Sequence, residues 1–147
     1  MKKGGILNTE LLRVVSNMGH GNMLFIVDRG FPFPVHNLTK KIDLAVGHNI
    51  PRFLEVLEVV LEDLEIEKAI IAEETQSVSP DVYKDLIKIL GSVKNKGNDI
   101  IIEKIPHEQF KSLGLRGAER GEEVKAIVRT GEFTPYSNII LISGVPF

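Results

Sequence analysis

The sequence predicts an α/β fold: one domain over residues 1–147, built on a sheet that helices cover on both faces. Three observations carry that expectation. Short apolar runs such as "MLFIV" (23–27) and "NIILISGV" (138–145) lack the alternation of a half-wetted strand, so they read as strands buried on both sides. Amphipathic helical repeats separate these runs, as in folds that pack helices on a sheet. The apolar signal is spread evenly, with no internal repeat and no low-complexity linker, over a length ordinary for one domain.

In chain order, "TELLRVVSNM" (9–18) places Leu11, Leu12, Val15 and Met18 on one helical face, with Asn8 or Thr9 as cap and Gly19 as stop. "MLFIV" follows as a strand. "GFPFPVHN" (30–37) is irregular, because its two prolines remove donors and push their neighbours to extended backbone. "KIDLAV" (41–46) is a candidate strand. "PRFLEVLEVVLEDLE" (51–65) is the clearest helix, with Phe53, Leu57, Val60, Leu61 and Leu64 as its apolar stripe, glutamates opposite and Pro51 in its first turn. "KAIIAEE" (68–74) reads as a strand. "SPDVYKDLIKILG" (79–91) reads as a helix capped by Ser79, opened by Pro80 and stopped by Gly91. "DIIIEKI" (99–105) is a strand, "HEQFKSLG" (107–114) a short helix, and "KAIVRTGE" (125–132) and "NIILISGV" the last two strands.

Composition excludes several classes. Apolar residues make up 43% and charged residues 26%, the mix of a soluble globular protein. A net charge of −2 does not favour nucleic acid or a membrane surface. The absence of cysteine removes disulfides, thiolate nucleophiles and thiolate metal sites. No apolar run approaches the roughly 18 residues of a membrane span, and "MKKGGILNTELL" is not a signal peptide. The expected location is the cytoplasm.

"GHGN" (19–22) has the look of a phosphate loop, but the third glycine of a dinucleotide fingerprint is missing. The order is also helix–turn–strand, which offers no helix N-terminus to a phosphate. "HEQFK" (107–111) begins like a zinc-protease motif, yet Lys111 stands where the second histidine belongs, and His20, His36, His48 and His107 are dispersed. No metal is expected. No G-x-S-x-G elbow marks a serine nucleophile.

Polar groups suited to a small hydroxylated ligand remain. His20 and Asp28 flank the "MLFIV" strand, and Asp28 sits just past a strand end, where ligands of α/β sheets bind. His107 and Lys111 lie one helical turn apart, and Tyr136, Ser137 and Asn138 precede the last strand. Spacing alone supports a small polar ligand with acid–base chemistry. The plainer alternatives are a histidine in a glycine turn, an aspartate as a turn former and "TPYSN" as a loop.

Taken together, "MKKGGILN" (1–8), "GH" (19–20), D-x-G-x-P-x-P (28–34), "KIDLAV", "AIIAEE" (69–74), "HEQFK", "VRTGEFTPYSNIIL" (128–141) and "GVPF" (144–147) resemble the D-ribose pyranase family over nearly the whole chain. The sister fucose mutarotases look similar in the first half and differ at the "RTGEFTPYSN" segment. The resemblance implies an isomerase that interconverts the pyranose and furanose forms of ribose without a cofactor. It also implies assembly into rings stacked as a decamer, with sites at subunit contacts. By resemblance, His20 is the proton donor, Asp28 a ligand residue, and His107, Lys111, Tyr136, Ser137 and Asn138 are substrate-binding residues. Two departures stand out: a longer, glycine-rich and charged 113–125 stretch, expected as a surface loop, and Arg29 in place of a small residue. The alternative of the same class is a mutarotase for another monosaccharide such as fucose; those of other classes are a non-catalytic ribose-binding module and a ring-forming structural protein.

Overall fold

The computed structural model describes residues 1–35, 39–116 and 123–147. The elements run α1 (Thr9–Ser16), β1 (Met23–Val27), β2 (Lys40–Asp43), α2 (Phe53–Asp63), β3 (Ile66–Ala72), α3 (Glu73–Val78), α4 (Pro80–Ser92), β4 (Lys94–Asn95), β5 (Asn98–Asp99), β6 (Ile101–Ile105), α5 (His107–Arg116), β7 (Val124–Arg129) and β8 (Ile139–Ser143). Among the described residues, six strands form one sheet in the order β2-β7-β1-β8-β3-β6, and β4 and β5 form a separate two-stranded hairpin.

The sheet is mixed. β1 pairs parallel with β7, β7 with β2, and β3 with β6, whereas β8 lies antiparallel between β1 and β3. Its N-terminus therefore arrives at the edge where the other five strands end.

Helices cover both faces, as the alternation of apolar runs implied. On one face, Leu11 and Val15 of α1, Phe53, Val56, Leu57 and Val60 of α2, and Leu86 and Leu90 of α4 pack on Leu24, Ile26, Ile71, Ala126, Val128 and Leu141. On the other, Phe110 and Leu113 of α5 pack on Phe25, Ile70, Ile127 and Ile140. All five residues of β1 are buried, which is why "MLFIV" carries no polar alternation. Each such side chain contributes roughly 1.5–3 kcal/mol by leaving water. Gly114 lets α5 approach, since a Cβ there would sit 2.9 Å from the Phe25 ring.

Four local expectations are corrected. The Asn8 cap holds, its Oδ1 accepting from Leu11 N at 2.9 Å, but α1 closes at Ser16 with Asn17 as its C-cap, before Gly19. Pro51 precedes α2, whose N-cap is Arg52. Gly91 lies within α4, which continues to Ser92, and the Ser79 hydroxyl caps no helix N–H but donates to the Pro135 carbonyl at 2.5 Å. The segments α3, β4 and β5 are additions to the sequence reading. Of the 113–125 stretch, residues 117–122 lie outside the described residues, as does His36.

The segment after β7 is pinned by Glu132, whose side chain is 3% exposed. Its carboxylate accepts from Arg52 Nε (3.1 Å) and Nη2 (2.8 Å), from Phe53 N (3.1 Å) and from Thr134 N (3.3 Å). It thus satisfies a first-turn N–H of α2 and fixes the loop to that helix. Gly131 is the hinge of this contact: a Cβ there would meet the Ile50 carbonyl oxygen at 2.3 Å. Burial pushes the Glu132 carboxyl up, but the Arg52 guanidinium and the Thr134 and Phe53 donors outweigh it and hold the group at about 2.

A carboxyl depressed from 4.5 to about 2 stabilises the fold fully above pH 4.5 and loses that contribution as the pH falls towards 2. Glu132→Gln is therefore expected to lower stability at pH 7 by about 2–3 kcal/mol. Thermal unfolding at pH 7 and pH 3 checks this, with a smaller gap between wild type and variant at the lower pH.

Candidate active site

Just beyond the C-terminal end of β1 the chain makes a cavity of about 650 Å³, lined by Asp28, Arg29, Phe31, His107, Lys111, Glu132, Phe133, Pro135 and Tyr136 among others. This volume lies within the usual range of small-ligand sites. Asp28 is placed by the end of the buried strand, His107 and Lys111 by the first turn of α5, and Tyr136 by the loop that leads into the reversed β8.

Asp28 is held from both sides by Asn138. The amide oxygen accepts from Asp28 N at 2.8 Å and the amide nitrogen donates to Asp28 Oδ2 at 3.0 Å. Gly30 N donates to Oδ1 at 3.0 Å, so the turn closes on its own carboxylate. Burial pushes the Asp28 carboxyl up, and the donors from Asn138, Gly30 and Phe31 together with the nearby His107 only partly offset it.

His107 is the first residue of α5. Its ring meets Tyr136 edge-on with centroids 4.8 Å apart and lies near the Phe31 and Phe110 rings. Burial lowers its pKa, Lys111 lowers it further, and Glu74, Asp28 and Glu108 oppose them. The imidazole is thus predominantly neutral at pH 7. Its Nδ1 is buried without a hydrogen-bond partner among the described residues. A neutral imidazole carries one donor and one acceptor nitrogen, so the ring can meet a hydroxyl in either sense. Lys111 is half-buried and pairs with Glu108 at 2.9 Å.

The structure brings Asp28, His107, Lys111 and Tyr136 to one cavity. Asn138 and Ser137 lie behind the wall, fully buried: Asn138 is committed to Asp28, and the Ser137 hydroxyl has no partner among the described residues. His20 is elsewhere. It lies in the turn before β1, with Nε2 2.9 Å from Glu67 Oε2 near the start of β3, and Gly21 N and Ser143 O join that turn to the far end of β8. The five residues of β1, about 17 Å long, separate it from Asp28. The glycines at 19 and 21 do not fold the histidine back over the strand. Glu132 was missed from sequence: it was read as the last residue of the "KAIVRTGE" strand, which ends at Arg129, and only its burial against Arg52 reveals it.

Among the described residues no three His, Asp or Glu side chains converge as metal ligands would. No helix among them is long and apolar enough to cross a membrane.

Comparison with known proteins adds to this geometry. A family model described as the RbsD / FucU transport protein family matches residues 1–146. The D-ribose pyranase of Thermotoga petrophila is 47% identical over the full length of both chains. The structure of Bacillus subtilis RbsD complexed with D-ribose superposes with a TM-score of 0.85 at 36% identity and full coverage of both chains. The Streptococcus pneumoniae fucose mutarotase in complex with L-fucose superposes at 0.68 with 25% identity, over 99% of each chain.

The opposing charges around His107 give a sign test by NMR titration of its ring. The wild-type midpoint is expected below 6.5. Asp28→Asn, which removes a supporting carboxylate, is expected to lower it further, and Lys111→Met to raise it.

Proposed function

The chain belongs to the RbsD / FucU transport protein family, and from that premise we propose that it is a D-ribose pyranase, interconverting the pyranose and furanose forms of D-ribose. The observation that carries this reading is full-length similarity to D-ribose pyranases joined to one cavity that presents Asp28, His107, Lys111 and Tyr136.

Pyranose and furanose differ in which hydroxyl closes on C1. Exchange needs a proton on the ring oxygen, a proton off the anomeric hydroxyl, rotation of the open chain, and re-addition of another hydroxyl. A carboxylate, a neutral imidazole donor and an ammonium around one sugar supply an acceptor and two donors for its oxygens. In this reading Asp28 accepts a sugar hydroxyl, His107 and Lys111 Nζ donate to oxygens, and Tyr136 closes one side. Ser137 and Asn138 act from behind the wall, Asn138 by orienting Asp28. No step calls for a cofactor.

His20 is the proposed proton-transfer group. Because it sits at the opposite end of β1, it serves this cavity only as the histidine of a neighbouring copy. The resemblance to the D-ribose pyranases implies such an assembly, a ring of subunits stacked as a decamer with sites at subunit contacts, and the proposal includes it, together with 1–147 as a single domain working in the cytoplasm. A mutarotase for another sugar such as fucose is the second reading. It is weighed against by the lower structural similarity to the fucose mutarotase than to the ribose-bound RbsD.

NMR saturation transfer between ribose anomers, run beside a panel of monosaccharides, tests the assignment. Exchange above the uncatalysed rate is expected for ribose, and His20→Ala is expected to lower it about 100- to 10,000-fold with the assembly intact on native mass spectrometry. Co-refolding His20→Ala with Asp28→Asn chains is expected to restore activity, because some contacts then combine an intact His20 with an intact Asp28.

A further inference from the structure

The six-residue helix α3 was invisible to periodicity, and its side chains are spent on other segments. Glu74 Oε2 accepts the backbone N–H of His107 at 2.9 Å. Thr75, fully buried, donates its hydroxyl to the Tyr136 carbonyl at 2.7 Å. Gln76 Oε1 accepts from Lys104 Nζ at 2.8 Å, and Ser79, just past the helix, donates to the Pro135 carbonyl. Two of these bonds end on residues whose rings face each other in the cavity. Tyr136 also has a φ of +59°, a left-handed backbone that a bulky residue leaves unless its surroundings hold it there. Glu74 and Thr75 are not among the residues lining the cavity.

We infer that Glu74 and Thr75 are positioning residues for the site: Glu74 fixes the His107 end of α5, Thr75 fixes the Tyr136 turn, and one short helix thereby sets the spacing of two cavity walls. This rests on the pyranase reading for its activity readout. A shared support matters because both walls derive from separate stretches of chain, 107–111 and 132–136, with no strand pairing between α5 and the turn. A fraction of an ångström lost at either wall is felt directly in rate. Glu74 also adds charge: with Asp28 and Glu108 it supports the protonated form of His107 against burial and Lys111.

The test measures ribose exchange across pH, the His107 ring titration and thermal stability for Glu74→Ala, Glu74→Gln, Thr75→Val and Thr75→Ser. Glu74→Ala and Thr75→Val are expected to lower exchange about 10- to 100-fold in chains that still fold and assemble. Glu74→Gln keeps an acceptor for the His107 N–H and is expected to recover most of the rate while moving the His107 midpoint to lower pH. Thr75→Ser restores the hydroxyl and is expected to restore the rate. A merely structural role would lower the melting temperature and leave exchange per folded chain and the His107 titration unchanged, and that result overturns the inference. Absence of exchange in the wild type sinks the pyranase reading instead, and the NMR shifts of the His107 amide and the Tyr136 ring then decide the positioning role alone, shifts unchanged in Glu74→Ala and Thr75→Val overturning it.

Discussion

The reversal of β8 is the constraint on which the rest of the molecule depends. Five strands deliver their C-terminal ends to one edge of the sheet, and β8 alone delivers its N-terminal end there. Asp28 ends β1, Glu74 follows β3, His107 follows β6 and Glu132 follows β7, so a carboxylate or imidazole closes each of four strands. β8 brings the loop of Tyr136, Ser137 and Asn138 into their midst. Had β8 run parallel, Asn138 would lie at the other edge and Asp28 would lose the amide that holds its backbone and its carboxylate together. The same reversal sends Ser143 to the opposite edge, where its hydroxyl bonds the Gly19 carbonyl and its own carbonyl accepts from Gly21. One strand therefore fixes both the cavity loop and the His20 turn, and fixes them apart.

The carboxylates at the cavity edge have different duties, set by their surroundings. Glu132 faces a guanidinium and two further backbone donors, which drive it strongly towards the ionised form and commit it to structure. Glu74 is spent on the N–H of His107. Asp28 is the one whose burial wins over its donors, so its charge is the least compensated and the most responsive to a hydroxyl placed before it. His107 shifts the other way for the same reason, since burial disfavours its cation as it disfavours the Asp28 anion. A buried carboxylate beside a neutral imidazole offers acceptors and a donor to the hydroxyls of an uncharged ligand.

Much of this was legible in the sequence. α2 and α4 announced themselves through apolar stripes, and β1, β3, β7 and β8 through apolar runs, because helices bury both faces of the sheet. Asp28, His107 and Lys111 were findable as a strand end and one helical turn. What was hidden falls into two kinds. The direction of β8 leaves no local mark, since a strand buried on both faces reads the same in either sense. Residues whose value is contact across the chain also leave none: Glu132 was read as the end of the "KAIVRTGE" strand and Glu74 as the end of "KAIIAEE", because the partners Arg52 and His107 lie 80 and 33 residues away. Gly91 misled for the converse reason. Glycine is a good helix stop, but exposed near the end of α4 it costs only about 1 kcal/mol, less than the packing of Leu86 and Leu90 returns.

The separation of His20 from Asp28 bears on why such a small chain would need company. Exchange between ring forms is an intrinsically accessible reaction, so a catalyst gains chiefly by holding an acid–base group against the anomeric centre in a dry site. A cavity of about 650 Å³ at the edge of one sheet stays open to water on the side where the chain offers no wall. In the proposed assembly, a neighbour's His20 turn would close that side and supply the proton carrier in one contact. The His20–Glu67 pair, exposed in the single chain, then acquires a reason for its placement: Glu67 orients the ring, and the antiparallel β8 anchors the turn that presents it. In the proposed assembly the length of β1 sets the quaternary requirement, because it holds His20 and Asp28 at opposite ends of one strand, where a second copy would join them.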